Sequence, residues 1–392
     1  MSMNLPGDDD AVPGLLGDLM KVLGGAGSGN VWLDSAKALA HGVATDGQED
    51  DVVDPLERIA LEALLPLVIA RVDEATEHLL PSAATLSVTL RSRGAYALRV
   101  LDAWAPRLAT MIENQAANPV ELGEVGGGMD QFLRQMMSTM GPMFIGLQFG
   151  SAAGHLARRA LTAYALPIPW LPGDSLEFVP ANLAAFSEDW SIPLDQVRML
   201  AATREVLAHR CYAIPEVRDR LNAAIDAACT EAMATQGSLL QRLTESGDPM
   251  AMQAMLSDPD ALLDDLHQPG EQLESATLSA MTTALEAYID YGTFLALEKI
   301  LGPVATLREA WRRFRTTEQR GEQATAALFG IDRTKEQVDR GARFVEFVLD
   351  RAGAAGLAPL LTGGAALPTP AEVDAPGLWL ERLAYGGEAT EV

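Results

Sequence analysis

The chain has 392 residues, 29 of them basic and 54 acidic, for a formal net charge of −25. Hydrophobic residues make up 48% and charged residues 21%, the mix of a folded chain long enough to bury a substantial core as one large domain or two smaller ones. That charge repels polyanions and no basic stripe offsets it, which argues against nucleic-acid binding, and two cysteines, Cys211 and Cys229, leave no disulfide framework and no cysteine zinc cluster.

Ala and Leu are abundant and β-branched clusters are few, so the expected class is mainly α with at most a small β element, an edge strand near 176–180. Residues 1–30 are rich in Gly and Asp and end in GGAGSGN, the composition of a mobile tail; they lack the basic and apolar regions of an export signal, so the expected location is cytoplasmic. Val31 to His41 and Pro55 to Leu80 read as helices. In the second, Leu56, Ile59, Ala60, Ala63, Leu64 and Leu67 recur at the three-and-four spacing of a buried face, and Trp32 is expected to pack against it. Tyr96 to Asn114 continues the series, and 118–128 breaks it with Pro and a Gly cluster.

Met129 to Tyr164 reads as one or two helices. Residues 135–157 carry no formal charge, but Pro142, Gln148, Ser151 and His155 interrupt them, which suits a buried helix better than a membrane span of about 20 apolar residues. Gly146, Gly150 and Gly154 fall four apart and invite the close approach of a second helix; His155 beside them reads as a hydrogen-bonded core histidine before a ligand. The proline-rich PIPWLPGDSLEFVPANLAAF then reads as a loop and edge strand leading into a helix near Asn182, a candidate N-cap, with Trp170 and Trp190 walling the core.

Ser191 to Leu221 is the run that carries chemistry. Ser191 or Asp195 caps it; Val197, Leu200, Leu207 and Cys211 form one apolar stripe, and Arg198, Ala202, Glu205 and His209 the next. Pro215 ends that helix and Glu216 to Met233 resumes as another. Residues 241–274 read as a flexible acidic insertion. Ser275 to Leu301 is a long helix with Glu286 and Asp290 one turn apart, and Thr306 to Thr316, with REAWRRFR, reads as a solvated basic helix. Thr334 to Ala352 is another helix, TPAEVD a helix start, and 386–392 a disordered tail. The organisation expected is a helical region over 31–165 and a second region over 166–385, which together could form one compact unit. Phosphate-loop, dinucleotide and nucleophile-elbow motifs do not occur.

LQFGSAAGHLARRAL, LEFVPANLAAF, TREVLAHR, LEAYID, GEQATAALFGI and PTPAEVD follow one another in an order that, from about Val31 onward, resembles the zincin-like zinc-dependent metallopeptidases of actinobacteria, some known only as hydrolases. Scarce lysine (Lys21, Lys37, Lys299 and Lys335) fits such a GC-rich source. The resemblance implies a zincin-like helical region over 166–385 and a helix on which two histidines four apart hold zinc, with a glutamate between them as general base. Arg204 stands at the first ligand position, Glu205 at the base, Ala208 at the second ligand position, and Glu286 at a third, carboxylate ligand. An arginine cannot bind metal, and His209, one residue past the ligand position, is rotated by about 100° around the helix. The expectation is therefore a degenerate site: no zinc, Glu205 a remnant base, and Arg204 in a polar network with Glu286, Glu205 and His209 where it supplies the charge of the ion. Zinc would require a rearranged site built from Glu205, His209, Glu286 and Asp290. The function expected is a non-catalytic binding or scaffold protein with an unidentified protein or small-molecule partner. The alternatives are a hydrolase using Glu205, His209 and Glu286, and a small-ligand-binding protein.

Overall fold

The structure, a computed structural model, describes residues 31–81, 86–117, 129–169, 174–246, 275–317, 334–363 and 366–385. The tail over 1–30, the break over 118–128, Trp170, the insertion beyond Ser246 and the last seven residues lie outside the described residues. The described chain is mainly helical. In order it forms α1 (Val31–Ala44), α2 (Pro55–Ala75), β1 (Ser87–Leu90), α3 (Arg93–Ala117), α4 (Met129–Ala157), β2 (Ser175–Phe178), α5 (Pro180–Asp189), α6 (Leu194–Ala213) and α7 (Pro215–Ser246). Then follow α8 (Ala276–Leu301), α9 (Ala305–Thr316), α10 (Lys335–Ala352), α11 (Pro359–Thr362), α12 (Pro370–Asp374) and α13 (Pro376–Tyr385).

The described helices form two groups, and a small sheet packs against α2 and α6 of the second. In the first, α1 lies against α4 and α3. The glycine seam makes this contact possible: a Cβ on Gly150 would stand 2.6 Å from the Ala36 carbonyl oxygen, and one on Gly146 2.8 Å from that of Trp32. Trp32 thus packs on α4, not on α2 as expected, because the bare backbone of α4 is the surface that α1 can approach most closely. In the second group α6, α2 and α8 pack on one another, and α10 packs against α8.

The sheet is a parallel pair, β1 on β2, with Ser87 opposite Ser175 and Leu90 opposite Phe178. Its position agrees with the strand expected near 176–180.

Four local expectations change. On α2 the buried residues are Leu61, Leu65, Val68, Val72 and Ala75, whereas Leu56 and Ile59 are 68% and 62% exposed. Apolar residues occupy both faces of this helix, so their spacing alone does not choose between them; the surfaces of α6 and α8 do. Asn182 is not a cap but the third residue of α5, whose N-cap is Val179; its amide donates to the Ala157 and Ala160 carbonyls at 2.8 and 2.7 Å. Pro193, not Ser191 or Asp195, is the N-cap of α6, and no side chain caps it. Finally α9 is solvated on one face only: Arg308, Arg312 and Arg313 are exposed, but Leu307, Ala310 and Trp311 are buried. Ser275, Thr334 and Thr369 do cap α8, α10 and α12 with their hydroxyls. No described helix is long and apolar enough to cross a membrane.

Candidate functional site

Helix α6 is buried on every side from Met199 to Tyr212, charged residues included. Charges survive such burial only when each finds a partner. Arg210, near the C-terminal end, pairs with Asp73 at 2.6 Å and donates from Nε to the Pro81 carbonyl at 2.7 Å, holding α6 to α2 and the loop after it. Ala208 is wholly buried and brings no polar atom.

Arg204 projects toward α8. Its Nη2 lies 2.6 Å from Glu286 Oε2, its Nη1 donates to the Tyr164 carbonyl at 3.0 Å, and its Nε stands 3.7 Å from Asp290 Oδ1. The guanidinium also lies 5.2 Å from the centre of the Trp311 ring, a favourable arrangement for a cation. Burial works against its charge, but Glu286 and Asp290 outweigh that and hold it protonated more firmly than an ordinary arginine. A second guanidinium reaches the same carboxylates from α9. Arg315 Nη2 is 3.0 Å from Glu286 Oε2, and its Nη1 contacts Asp290 Oδ2. Tyr212 donates to Glu286 Oε1 at 3.4 Å, and the Trp311 indole donates to Asp290 Oδ1 at 3.1 Å.

Glu205, one residue on and rotated by about 100°, points instead at the sheet. Its Oε1 accepts the Glu177 N–H at 3.2 Å, and its Oε2 is buried without a well-formed hydrogen bond. Burial pushes this carboxyl up to about 7; the Thr162 hydroxyl, the Glu177 and Tyr164 N–H groups and the Arg204 charge pull it only part of the way back. His209 lies one turn further along, with Nδ1 3.2 Å from the Tyr164 hydroxyl. Tyr164 therefore touches both Arg204 and His209, while stacking on Tyr212 at 5.2 Å.

The structure thus brings Arg204, Glu286 and Asp290 together and turns Glu205 and His209 toward other partners. No group of three or more His, Cys, Asp or Glu side chains among the described residues is placed to hold a metal. Arg315, Trp311, Tyr164 and Tyr212 belong to the cluster and were missed in the sequence. For two of them a signal existed: Leu307, Trp311 and Arg315 repeat every four residues, so Arg315 continues the apolar face of α9. The cluster forms the floor of a groove of about 1150 Å³ between α8, α9 and α10. Glu286, Asp290, Trp311 and Arg315 line it, while Glu205 and His209 do not.

Among solved structures, the chain resembles a "putative hydrolase with a novel fold" from Chloroflexus aurantiacus. The match covers 90% of this chain and 98% of that one, at 18% identity and a TM-score of 0.57, a level that speaks for a shared fold. No curated protein matches the chain. The sequence model of the zincin-like metallopeptidases matches residues 31–380, from the first residue of α1 into α13. That span takes in both helical groups, the sheet and the buried charge cluster, and the chain belongs to the zincin-like metallopeptidase family.

Proposed function

We propose that this chain is a family member that has lost its zinc site and works as a non-catalytic binding protein, with the groove above Glu286 and Asp290 as its binding surface. The observation that carries the reading is the contact between Arg204 and Glu286: a permanent cation sits 2.6 Å from the carboxylate that the family resemblance assigns to the metal. The residues present do not fit a zinc ion. A guanidinium has no lone pair to give, Ala208 has no donor atom, and the Glu286 oxygens already accept from Arg204, Arg315 and Tyr212. Glu205, the remnant base of this reading, is buried away from the groove and serves as an acceptor for the β2 backbone.

The test is elemental analysis of protein purified without added metal, together with a peptidase assay. Less than one tenth of an equivalent of zinc is expected (on the order of background), with no turnover. Any residual activity should be unchanged in Glu205→Gln. One equivalent of zinc, or a chelator-sensitive turnover abolished by Glu205→Gln, would overturn the reading in favour of a hydrolase. Binding in the groove is tested by thermal shift against a panel of metabolites, with loss of the shift in an Arg312→Ala variant at the groove wall.

A further inference from the structure

Glu286 and Asp290 lie one turn apart on α8 with both carboxylates turned to the same two guanidiniums. Oε2 of Glu286 meets Nη2 of Arg204 at 2.6 Å and Nη2 of Arg315 at 3.0 Å. Asp290 meets Arg315 through Oδ2 and faces the Nε of Arg204 at 3.7 Å. The side chains of Arg204, Arg315 and Glu286 are each less than a tenth exposed, and Asp290 is 23% exposed. Two negative charges are therefore balanced by two positive ones in a shielded place, and both positive charges converge on one oxygen. A divalent cation would meet the same electrostatic need with one particle in place of two side chains.

We propose that Arg204 and Arg315 together form a built-in divalent counter-ion for Glu286 and Asp290, and that removing both guanidiniums opens a site for a hard divalent metal cation. The class of metal follows from the donors. Once Arg204 is gone, the Tyr164 carbonyl that it occupies at 3.0 Å is free to join the two carboxylates, and the Tyr212 hydroxyl lies 3.4 Å from Glu286 Oε1. Every donor is an oxygen, which favours manganese or calcium over zinc. Removing one arginine is not enough, because the remaining guanidinium still contacts Glu286 Oε2 and repels an incoming cation. The inference rests on the reading that Arg204 fills the cation position, and it adds Arg315 as an equal partner.

The experiment uses the full chain as wild type, Arg204→Met, Arg315→Met and the double variant. Each is stripped with chelator, offered manganese chloride, desalted and analysed for bound metal, with manganese electron paramagnetic resonance and thermal unfolding alongside. Each single change is expected to lower Tm by about 5–10 °C, since it leaves a buried carboxylate uncompensated. The double variant is expected to retain about one equivalent of manganese and to regain stability on binding it; wild type and single variants retain none. A folded double variant that takes up no manganese, or a single variant that takes up as much, overturns the proposal. Metal in the wild type as purified overturns the parent reading instead. Should the double variant fail to fold, Arg315→Met is compared with Arg315→Met/Asp290→Asn: recovery of most of the lost Tm supports the counter-ion role, and no recovery overturns it.

Discussion

Glu205 shows how much a residue's meaning depends on its direction. On a zinc-protease helix a carboxylate at this place would face a metal-bound water; here it faces the Glu177 N–H and keeps one oxygen without a good partner. Its ionisation should therefore cost stability. The carboxyl releases its proton near 4.5 when unfolded and near 7 when folded. Below pH 4.5 both states are protonated and nothing is lost. As pH rises from 4.5 to 7 the unfolded chain gives up the proton first, so stability falls, and above 7 the full cost of about 3 kcal/mol applies. Glu205→Gln keeps an oxygen for Glu177 and removes the charge. In urea unfolding the variant should gain on the wild type as pH rises from 5 to 8. Arg204 stays charged throughout, burial drives the Tyr164 phenol well above this range, and His209 is common to both chains. A difference that is flat with pH would show that the carboxylate is not held as described.

Among the elements, α2 and α9 carry the main lessons. The spacing of apolar residues locates a helix but gives two candidate faces on α2, and both satisfy the three-and-four spacing. Leu61 is fully buried against the core while Ile59 is largely exposed. Leu61→Ala should cost about 2–5 kcal/mol, and Ile59→Ala less than about 0.5 kcal/mol, by chemical denaturation. Equal costs would restore the face read from the sequence. Helix α9 errs in the opposite direction: its four arginines suggest a solvated surface, yet Trp311 and Arg315 turn inward and complete the charge cluster. Composition averages over a helix, whereas burial is decided residue by residue. The glycine seam of α4, by contrast, was legible in advance, because a missing side chain has few uses other than close approach.

For the whole molecule the net charge of −25 is the leading electrostatic fact. Self-repulsion of that size destabilises a compact state and is screened by salt, while the exposed ion pairs that salt also weakens are each worth about 0–1 kcal/mol. Raising sodium chloride from about 20 mM to about 300 mM, where the screening length falls well below 10 Å, should raise Tm in scanning fluorimetry. A fall would mean that surface pairs outweigh the repulsion. The buried cluster should respond less, since Arg204, Arg315 and Glu286 are each less than a tenth exposed and only Asp290 is open to solvent in part.

By itself the sequence determined that the chain is helical, where several helices begin, that a glycine seam joins two of them, and which family the order of motifs resembles. These are local properties, set by backbone propensity, hydroxyl caps and the spacing of residues along one helix. The resemblance also implies that Arg204 and Ala208 stand at ligand positions. Only the tertiary structure decided what surrounds them. Arg204 meets Glu286 across 82 residues of sequence and Arg315 arrives from a third helix, so no local pattern can specify their meeting. Helical periodicity tells which side chains share a face; the packing of distant helices tells which charges that face must neutralise.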